Sequence, residues 1–303
     1  MSSSSNVRVS VIIVTYNSEE EIGPCIRSVV PQVSSVGGEI IVVDNASADR
    51  TVERIESLRN QNKNIQIITN TENVGFSRAN NQAFEMARGE SILLLNPDTE
   101  LRAETIEKLS FLLSTNDELG AVAPQLRLPD GRIQTSCRRF PTYGSVLFEM
   151  FGLSKTFPRS RFFNGWKMGD FDHTSSREVD QPAAAALMIR TELLRSLKGF
   201  DPAFPMFFSD VDLCRRIWKT RKILFYPGAV VMHHGGASIN PRKPSMIVNS
   251  HRSFIRYFRK WHAGPANRVM NIVIAVALYI AMGFRVVWTV VFRKRKAFRR
   301  TAL

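Results

Sequence analysis

Four polar clusters in this sequence follow apolar runs, and each presents groups that could do chemistry. Asn96-Pro97-Asp98-Thr99 comes directly after Ser91-Ile92-Leu93-Leu94-Leu95, so the Asp98 carboxylate projects past the end of an apolar strand. Such a carboxylate could hold Mg2+ or Mn2+, hard cations that are commonly bound by one or two carboxylates together with substrate phosphates. A helix cap made by Asp98 or Thr99 is the alternative. Asp44, after Val42-Val43, could accept the imide N–H of a uracil or thymine, with Thr15 and Tyr16 lining the other side. It could equally be the turn residue of Asp44-Asn45-Ala46-Ser47. Asp210 and Asp212 follow the aromatic run Phe204-Pro205-Met206-Phe207-Phe208-Ser209. Beside Phe207 and Phe208 the Asp210 carboxyl is placed to have a raised pKa and to act as a general base on a hydroxyl; capping of the following helix is again the alternative. His233-His234-Gly235-Gly236 ends the series. Adjacent histidines leaving a strand point to opposite sides, so at most one reaches a given metal or diphosphate, and the glycines would let backbone approach a phosphate.

The elements that must position these groups alternate along the first 125 residues. Val9 to Val14, Glu39 to Val43, Ile65 to Ile68 and Ser91 to Leu95 read as buried strands. Helix-length segments lie between and after them, near Glu20–Val33, Asp49–Asn60, Phe76–Ala87 and Ala103–Ser114. Short apolar strands separated by such helices predict βαβ units and a parallel sheet covered on both faces. The polar clusters then gather at the carboxyl ends of the strands, where open α/β sheets bind ligands. Beyond Pro124 the pattern changes. Leu128 to Ile133 contains the hairpin signal Asp130-Gly131, Arg138 to Ser176 is aromatic and basic without periodicity, and Ala183–Ile189 and Ile223–Val231 read as strands.

Charge divides the chain sharply. The net +14 of these 303 residues is concentrated from Leu213 onward, where 19 Lys/Arg meet no Asp or Glu; the first 212 residues carry 22 basic and 27 acidic groups. A basic third of this kind suits a polyanionic surface. The basic clusters bracket the apolar stretch Val269 to Phe292, which favours anionic lipid over nucleic acid. Three scattered cysteines suggest no disulfide framework, and the N-terminus has no charged region or cleavage site of a secretory signal, so a cytoplasmic body is expected.

Taken together and in order, the segments resemble glycosyltransferase family 2, and within it the rhamnosyltransferase-like branch. They are Val11 to Asn17, Val42 to Ser47, Asn73-Val74-Gly75-Phe76-Ser77-Arg78-Ala79-Asn80-Asn81, Leu94 to Thr99, Gly199-Phe200-Asp201, Asp210 to Arg216, and His233 to Gly236. The resemblance implies a GT-A fold, a Rossmann-like, mostly parallel central sheet flanked by helices, and an inverting displacement at a sugar's anomeric carbon. It places Thr15, Tyr16, Asp44, Arg78 and Asn96 on the nucleotide, and Asp98 with His233 or His234 on a Mg2+ or Mn2+ ion or the diphosphate. Asp210 becomes the catalytic base, with Ser209 and Asp212 on the acceptor side. Two departures fall on that side. Ser209 stands where the family usually has Glu, and Gln181-Pro182-Ala183-Ala184-Ala185 where Trp-x-x-Gly-Ala is typical.

These readings predict transfer of rhamnose or another deoxyhexose from a dTDP- or UDP-sugar to a lipid-linked or polysaccharide acceptor in cell-surface glycan biosynthesis. A catalytically silent nucleotide-sugar or glycan-binding module is the alternative. The expected organisation is a glycosyltransferase domain over 1–240, with a nucleotide-sugar half (1–125) and an acceptor half (126–240), then a basic and apolar helical extension over 241–303. The 24 residues from Val269 to Phe292 are long enough to cross a bilayer. Basic flanks on both sides and the internal Arg285 instead predict a helix lying in the interface on the cytoplasmic face, or one packed on the domain itself.

Overall fold

A computed structural model describes residues 8–235 and 244–301, with side chains through 289. Strands β1 (Val9–Thr15), β2 (Glu39–Asp44), β3 (Ile65–Thr69) and β4 (Ser91–Leu95) alternate with helices α1 (Ile22–Val36), α2 (Thr51–Gln61) and α3 (Phe76–Met86). Alternate residues of each strand enter opposite cores, as the pleat requires. Val9, Val11 and Ile13 pack with Ile22, Ile26 and Val29 of α1, whereas Ile12 packs with Ala79 and Ala83 of α3. Ile13 sits opposite Val42 on one side and Leu95 on the other, in parallel ladders. The same register brings Thr15 beside Asp44 at the carboxyl edge.

Beyond β4 come β5 (Thr99–Leu101), α4 (Thr105–Thr115), β6 (Leu119–Arg127), β7 (Ile133–Gln134) and β8 (Cys137–Arg138). Next are α5 (Tyr143–Met150), α6 (Leu153–Thr156), β9 (Arg177–Glu178), β10 (Gln181–Pro182), β11 (Ala186–Arg190), α7 (Thr191–Ser196), α8 (Ser209–Ile217) and β12 (Lys222–His233). The main sheet runs β3-β2-β1-β4-β11-β6-β12-β5. Strand β12 is parallel to β6, while β11 and β5 run against their neighbours, so the sheet is mixed but mostly parallel, as expected. The expected hairpin joins β6 to β7, with Gly131 at φ 83°.

Two elements depart from the expectations. A strand, β5, follows Asp98 directly, where a helix cap had been the alternative reading. The aperiodic 138–176 stretch contains α5, started by a reciprocal cap between Thr142 and Ser145. The usual sequence signature of that cap has Glu or Gln at the third position, and Ser145 takes that place here.

Helices α9 (Pro244–Trp261) and α10 (Arg268–Thr301) close the described chain. They share a third core with α5 and α8, in which Val146, Phe204, Val211, Ile255, Tyr257 and Phe258 meet Ile274, Ala275 and Leu278. That contact uses one stripe of α10. Val269, Ile272, Val273, Val276, Ile280, Phe284 and Val287, on the other side of the helix, are exposed. The span Pro265–Thr289 contains an 18-residue stretch of mean hydropathy 2.0 of which only 17% is buried, so α10 is long and apolar enough to cross a membrane. Gly236 and the rest of the segment after Gly235 lie outside the described residues, as do the side chains of the basic run Arg293 to Lys296.

Candidate active site

The loops leaving β1 and β2 are fastened to each other. Asn17 N donates to Ser47 Oγ, Ala48 N to Asn17 Oδ1 and Ser18 N to Thr51 Oγ1, each at 2.8 Å. Within this frame the buried Asp44 accepts from Ser47 N (2.9 Å) and Ser47 Oγ (2.5 Å). The turn reading of Asp44 therefore holds. It does not exhaust the group, since each carboxylate oxygen can accept a second bond. Thr15, its ladder neighbour, is buried with a hydroxyl that has no hydrogen-bond partner among the described residues. Tyr16 next to it is 42% exposed. An orphan hydroxyl, an open aromatic face and a carboxylate with spare acceptor capacity are the groups a planar base with an N–H edge would use.

Asn45 carries the frame onward, its Oδ1 accepting from Val74 N (3.0 Å) and Asn70 Nδ2 (3.2 Å). The loop so held ends at Gly75, whose φ of 86° and close approach to Pro205 exclude a side chain. Arg78 follows in the first turn of α3, exposed and without a hydrogen bond or ion pair among the described residues. A cation at a helix N-terminus opposes the helix dipole. The fold gives it no compensation, which leaves its charge for an anion.

Asp98 lies in the tight turn from β4 to β5, and pairing of β5 with β12 sets His233 opposite Thr99. His233 Nε2 stands 3.4 Å from Asp98 Oδ1, and Nδ1 lies 2.8 Å from Gln134 Oε1. When Nδ1–H donates to Gln134, Nε2 turns a lone pair toward the carboxylate. Two acceptors face each other, an arrangement that calls for a proton or a cation between them. His234 turns the other way, its Nε2 2.8 Å from Glu100 Oε1. Of the two histidines, His233 is the one beside Asp98. Among the described residues no three His, Cys, Asp or Glu side chains gather to enclose a metal. Asp98 and His233 would supply part of a coordination shell and leave the rest to phosphate oxygens and water, which fits a hard divalent cation.

Asp210 sits in the first turn of α8, half-buried, accepting from Val211 N (2.9 Å) and Gln181 Nε2 (3.2 Å). Burial pushes its carboxyl above the ordinary aspartate range, and hydrogen bonds from Val211, Ala184 and Gln181 offset part of the rise. The segment 181–185, where the sequence departs from the family pattern, is thus what Asp210 touches. Its far end, Ala185 O, accepts from Asn96 N (2.9 Å). One short stretch of chain therefore bridges the Asp98 turn and Asp210. Arg138, which the sequence reading did not single out, pairs with Gln181 across β8 and β10 and so shares its face. It donates to the Thr135 and Cys137 carbonyls at 2.9 and 2.8 Å and has no ion-pair partner among the described residues.

Ser209 and Asp212 face inward instead. Ser209 Oγ donates to Met206 O (2.7 Å). Asp212, with no exposed surface, takes Arg216 Nε (2.9 Å), Lys260 Nζ (2.6 Å) and Trp261 Nε1 (2.9 Å), tying α8 to α9. Arg215 lies over the rings of Trp261 (5.0 Å) and Tyr257 (5.3 Å). Part of the basic character of the C-terminal third is therefore spent inside the fold.

The family model described as Glycosyl transferase family 2 matches residues 10–169, more than half the chain. The chain belongs to glycosyltransferase family 2. It is 26% identical over 238 residues to the N-acetylglucosaminyl-diphospho-decaprenol L-rhamnosyltransferase of Mycobacterium tuberculosis, covering 74% of this chain and 76% of that one. It is 25% identical over 212 residues to the low-salt glycan biosynthesis hexosyltransferase Agl10 of Haloferax volcanii, covering 69% and 61%. Among solved structures it is similar to the mannosyltransferase PcManGT of Pyrobaculum calidifontis in complex with GDP-Man and Mn2+, with TM-score 0.58, 18% identity, and 94% and 73% of the two chains covered. It is also similar to GalNAc-T7 with UDP, GalNAc and Mn2+, with TM-score 0.60 and 15% identity, over 83% of this chain and 48% of that one. This glycosyltransferase thus has the GT-A fold, and its chemistry is glycosyl transfer, a bond-forming step of glycan biosynthesis.

Proposed function

We propose that this glycosyltransferase inverts the anomeric centre of a sugar, a deoxyhexose such as rhamnose, taken from a dTDP- or UDP-linked donor and placed on a lipid-linked or polysaccharide acceptor. The supporting observation is the 181–185 bridge, which sets Asp210 with its raised carboxyl pKa across from the Asp98–His233 pair. In this reading Tyr16 stacks on the base, Asp44 accepts its imide N–H, Thr15 gives its orphan hydroxyl a partner, and Arg78 and Asn96 meet the nucleotide. Asp98 and His233 hold Mg2+ or Mn2+, which neutralises charge on the diphosphate when bound. Asp210 takes the proton of the acceptor hydroxyl as its oxygen bonds to the anomeric carbon, and the bond from that carbon to the diphosphate breaks on the opposite face. Arg138, which has no ion-pair partner among the described residues and is paired across the β8–β10 ladder with the Gln181 that donates to Asp210, meets the acceptor's phosphate. The glycosyltransferase domain spans 1–240 in this proposal. The extension over 241–303 docks it at the cytoplasmic face of a membrane, with α10 lying in the interface. The rhamnosyltransferase relative is named for a diphospho-decaprenol acceptor, a membrane lipid.

Asp210→Asn tests the assignment. Transfer is expected to fall by roughly 10²–10⁴-fold, the usual contribution of a general base, while nucleotide-sugar binding by calorimetry persists. Full activity in that variant would remove the base. Ser209, where the family usually carries Glu, is the observation that favours a silent binding module. Acceptor-dependent release of nucleoside diphosphate by the unmodified chain would dismiss that reading.

A further inference from the structure

Large hydrophobic side chains are exposed in two places and almost nowhere else among the described residues. Outside them only Tyr16, Met86 and Phe111 are in that state, singly and far apart, as on any soluble protein. One place is the outer face of α10. The other is 143–163, where Leu147, Met150, Phe151, Phe157 and Phe162 all stand out, Phe151 at 74% and Phe162 at 71%. These two places adjoin. Tyr143 Oη donates to Asn271 Oδ1 at 2.8 Å, and Val146 enters the same core as Ile274, Ala275 and Leu278 of α10. The next turn of α5 and the residue that ends it carry Leu147, Met150 and Phe151 outward. A ring cluster supports the patch from behind, with Phe163 against Phe157 (5.1 Å), Phe148 (5.2 Å) and Phe162 (5.1 Å).

Its rim is basic. From Arg138 to Asp170 the chain has Arg138, Arg139, Lys155, Arg159, Arg161 and Lys167 against Glu149 and Asp170; Lys167 pairs with Glu149 at 2.7 Å, and Arg139 and Arg161 with Asp170 at 3.5 and 3.3 Å. Lys155 and Arg159 are exposed and form no ion pair among the described residues. Contiguous exposed apolar surface rimmed by charge marks an interaction site. Aromatic and aliphatic side chains ringed by Lys and Arg are suited to the headgroup boundary of an anionic bilayer.

We propose that residues 143–163 form a second membrane-docking element, inserting beside α10 so that the protein meets an anionic bilayer at two points. The inference rests on the reading of α10 as a membrane anchor and goes beyond it. Two contacts fix orientation where one helix would allow the body to swing. The segment leads out of β8, whose Arg138 shares a face with Gln181 and hence with Asp210. Docking it holds that end of the site near the headgroups, where the phosphates of a lipid-linked acceptor lie.

The test uses the full chain and vesicles of phosphatidylethanolamine and phosphatidylglycerol. The three native cysteines are buried, so Phe151→Cys can be labelled selectively with an environment-sensitive fluorophore. Vesicles are expected to shift its emission to the blue. Combined Phe151→Ser and Phe162→Ser should weaken co-sedimentation with vesicles about tenfold or more, on the scale of losing buried aromatic area, with thermal unfolding unchanged. Ile272→Ser with Ile280→Ser, on α10, serves as the reference and should weaken it likewise. Loss of binding in the α10 variant alone, with no shift at position 151, would overturn the second element and leave the anchor standing. Undiminished binding in both would remove the anchor as well. A second copy of the chain is the competing occupant. A blue shift that grows with protein concentration without vesicles, together with a dimer that the serine substitutions dissolve, would assign the patch to self-association instead. Should the double variant fail to fold, the labelled single-site variant decides.

Discussion

Around Thr15, Asp44 and Asn45 the loops are tied by hydrogen bonds between side chains and backbone some thirty residues apart in sequence, whereas Asp210 is set by a helix wedged among Phe204, Tyr257 and Trp261 and pinned through the buried Asp212. On the proposed donor side, short polar residues at strand ends make their own scaffold, and the groups left over face the ligand. On the proposed acceptor side, position is inherited from distant packing, including helices that continue into α10. The first arrangement is rigid and local. The second couples the candidate base to whatever α9 and α10 rest upon.

Removing Asp98 is the largest perturbation expected on the donor side. Asp98→Ala should lower transfer by about 10²–10³-fold, the scale of losing one preorganised charge-stabilising group. Gln134→Leu, which releases Nδ1 of His233 without touching Asp98, should cost roughly 10–100-fold in metal affinity, as loss of an orienting partner does. His234→Ala should change little in metal titrations, because that ring is engaged by Glu100. Equal losses from Gln134→Leu and His234→Ala would break the separation the geometry draws between the two histidines.

Breaking the acceptor-side scaffold should register as stability. Asp212→Ala leaves Arg216 and Lys260 without their shared carboxylate and is expected to cost about 3 kcal/mol in urea unfolding, at the low end for a buried pair because Lys260 is partly in solvent. Lys260→Met should cost less, and the double variant less than the sum. A loss below about 1 kcal/mol from Asp212→Ala would mean that α8 is held by its apolar contacts alone.

A subtler prediction concerns pH. Because burial raises the Asp210 carboxyl, the ionised base is lost at a higher pH than for an ordinary aspartate, so the rate declines as pH falls through that raised value. Gln181 donates to the ionised form and holds the pKa down. Gln181→Leu should move the acid limb of kcat/KM upward by up to about one pH unit, with the plateau and the nucleotide affinity retained. An unmoved limb would detach the titrating group from Asp210.

The same contrast explains what was legible in the sequence. Val11 to Asn17 and Val42 to Ser47 could be read because strand periodicity, turn residues and hydrogen-bonding side chains all coincide within a few positions, and the sheet register then brings Thr15 to Asp44. Strand β5 escaped because three residues are too few to show a period, and its partner β12 lies over 120 residues away. Arg138 escaped because its meaning depends on pairing with Gln181, a contact between two-residue strands. Asp212 reads in sequence as the twin of Asp210. Only the fold shows that the helix turns one toward Gln181 and the other toward Trp261 and Lys260.

Thr15 offers the smallest and most discriminating effect. Its side chain is buried, and its hydroxyl has no hydrogen-bond partner among the described residues. A buried hydroxyl without a hydrogen bond costs roughly 1–3 kcal/mol relative to solvent, so an isosteric methyl should do no harm to the unliganded protein. Thr15→Val is therefore expected to leave the melting temperature unchanged or raise it slightly. If that hydroxyl is held for the nucleotide, the same variant should bind nucleoside diphosphate about tenfold more weakly, the worth of one hydrogen bond lost from a site built to receive it. A stability gain paired with an affinity loss is the signature of a strained group kept for a ligand. A stability loss would place Thr15 among the scaffold residues with Asn17 and Ser47, and the polar frame on the donor side would then be structural to its edge.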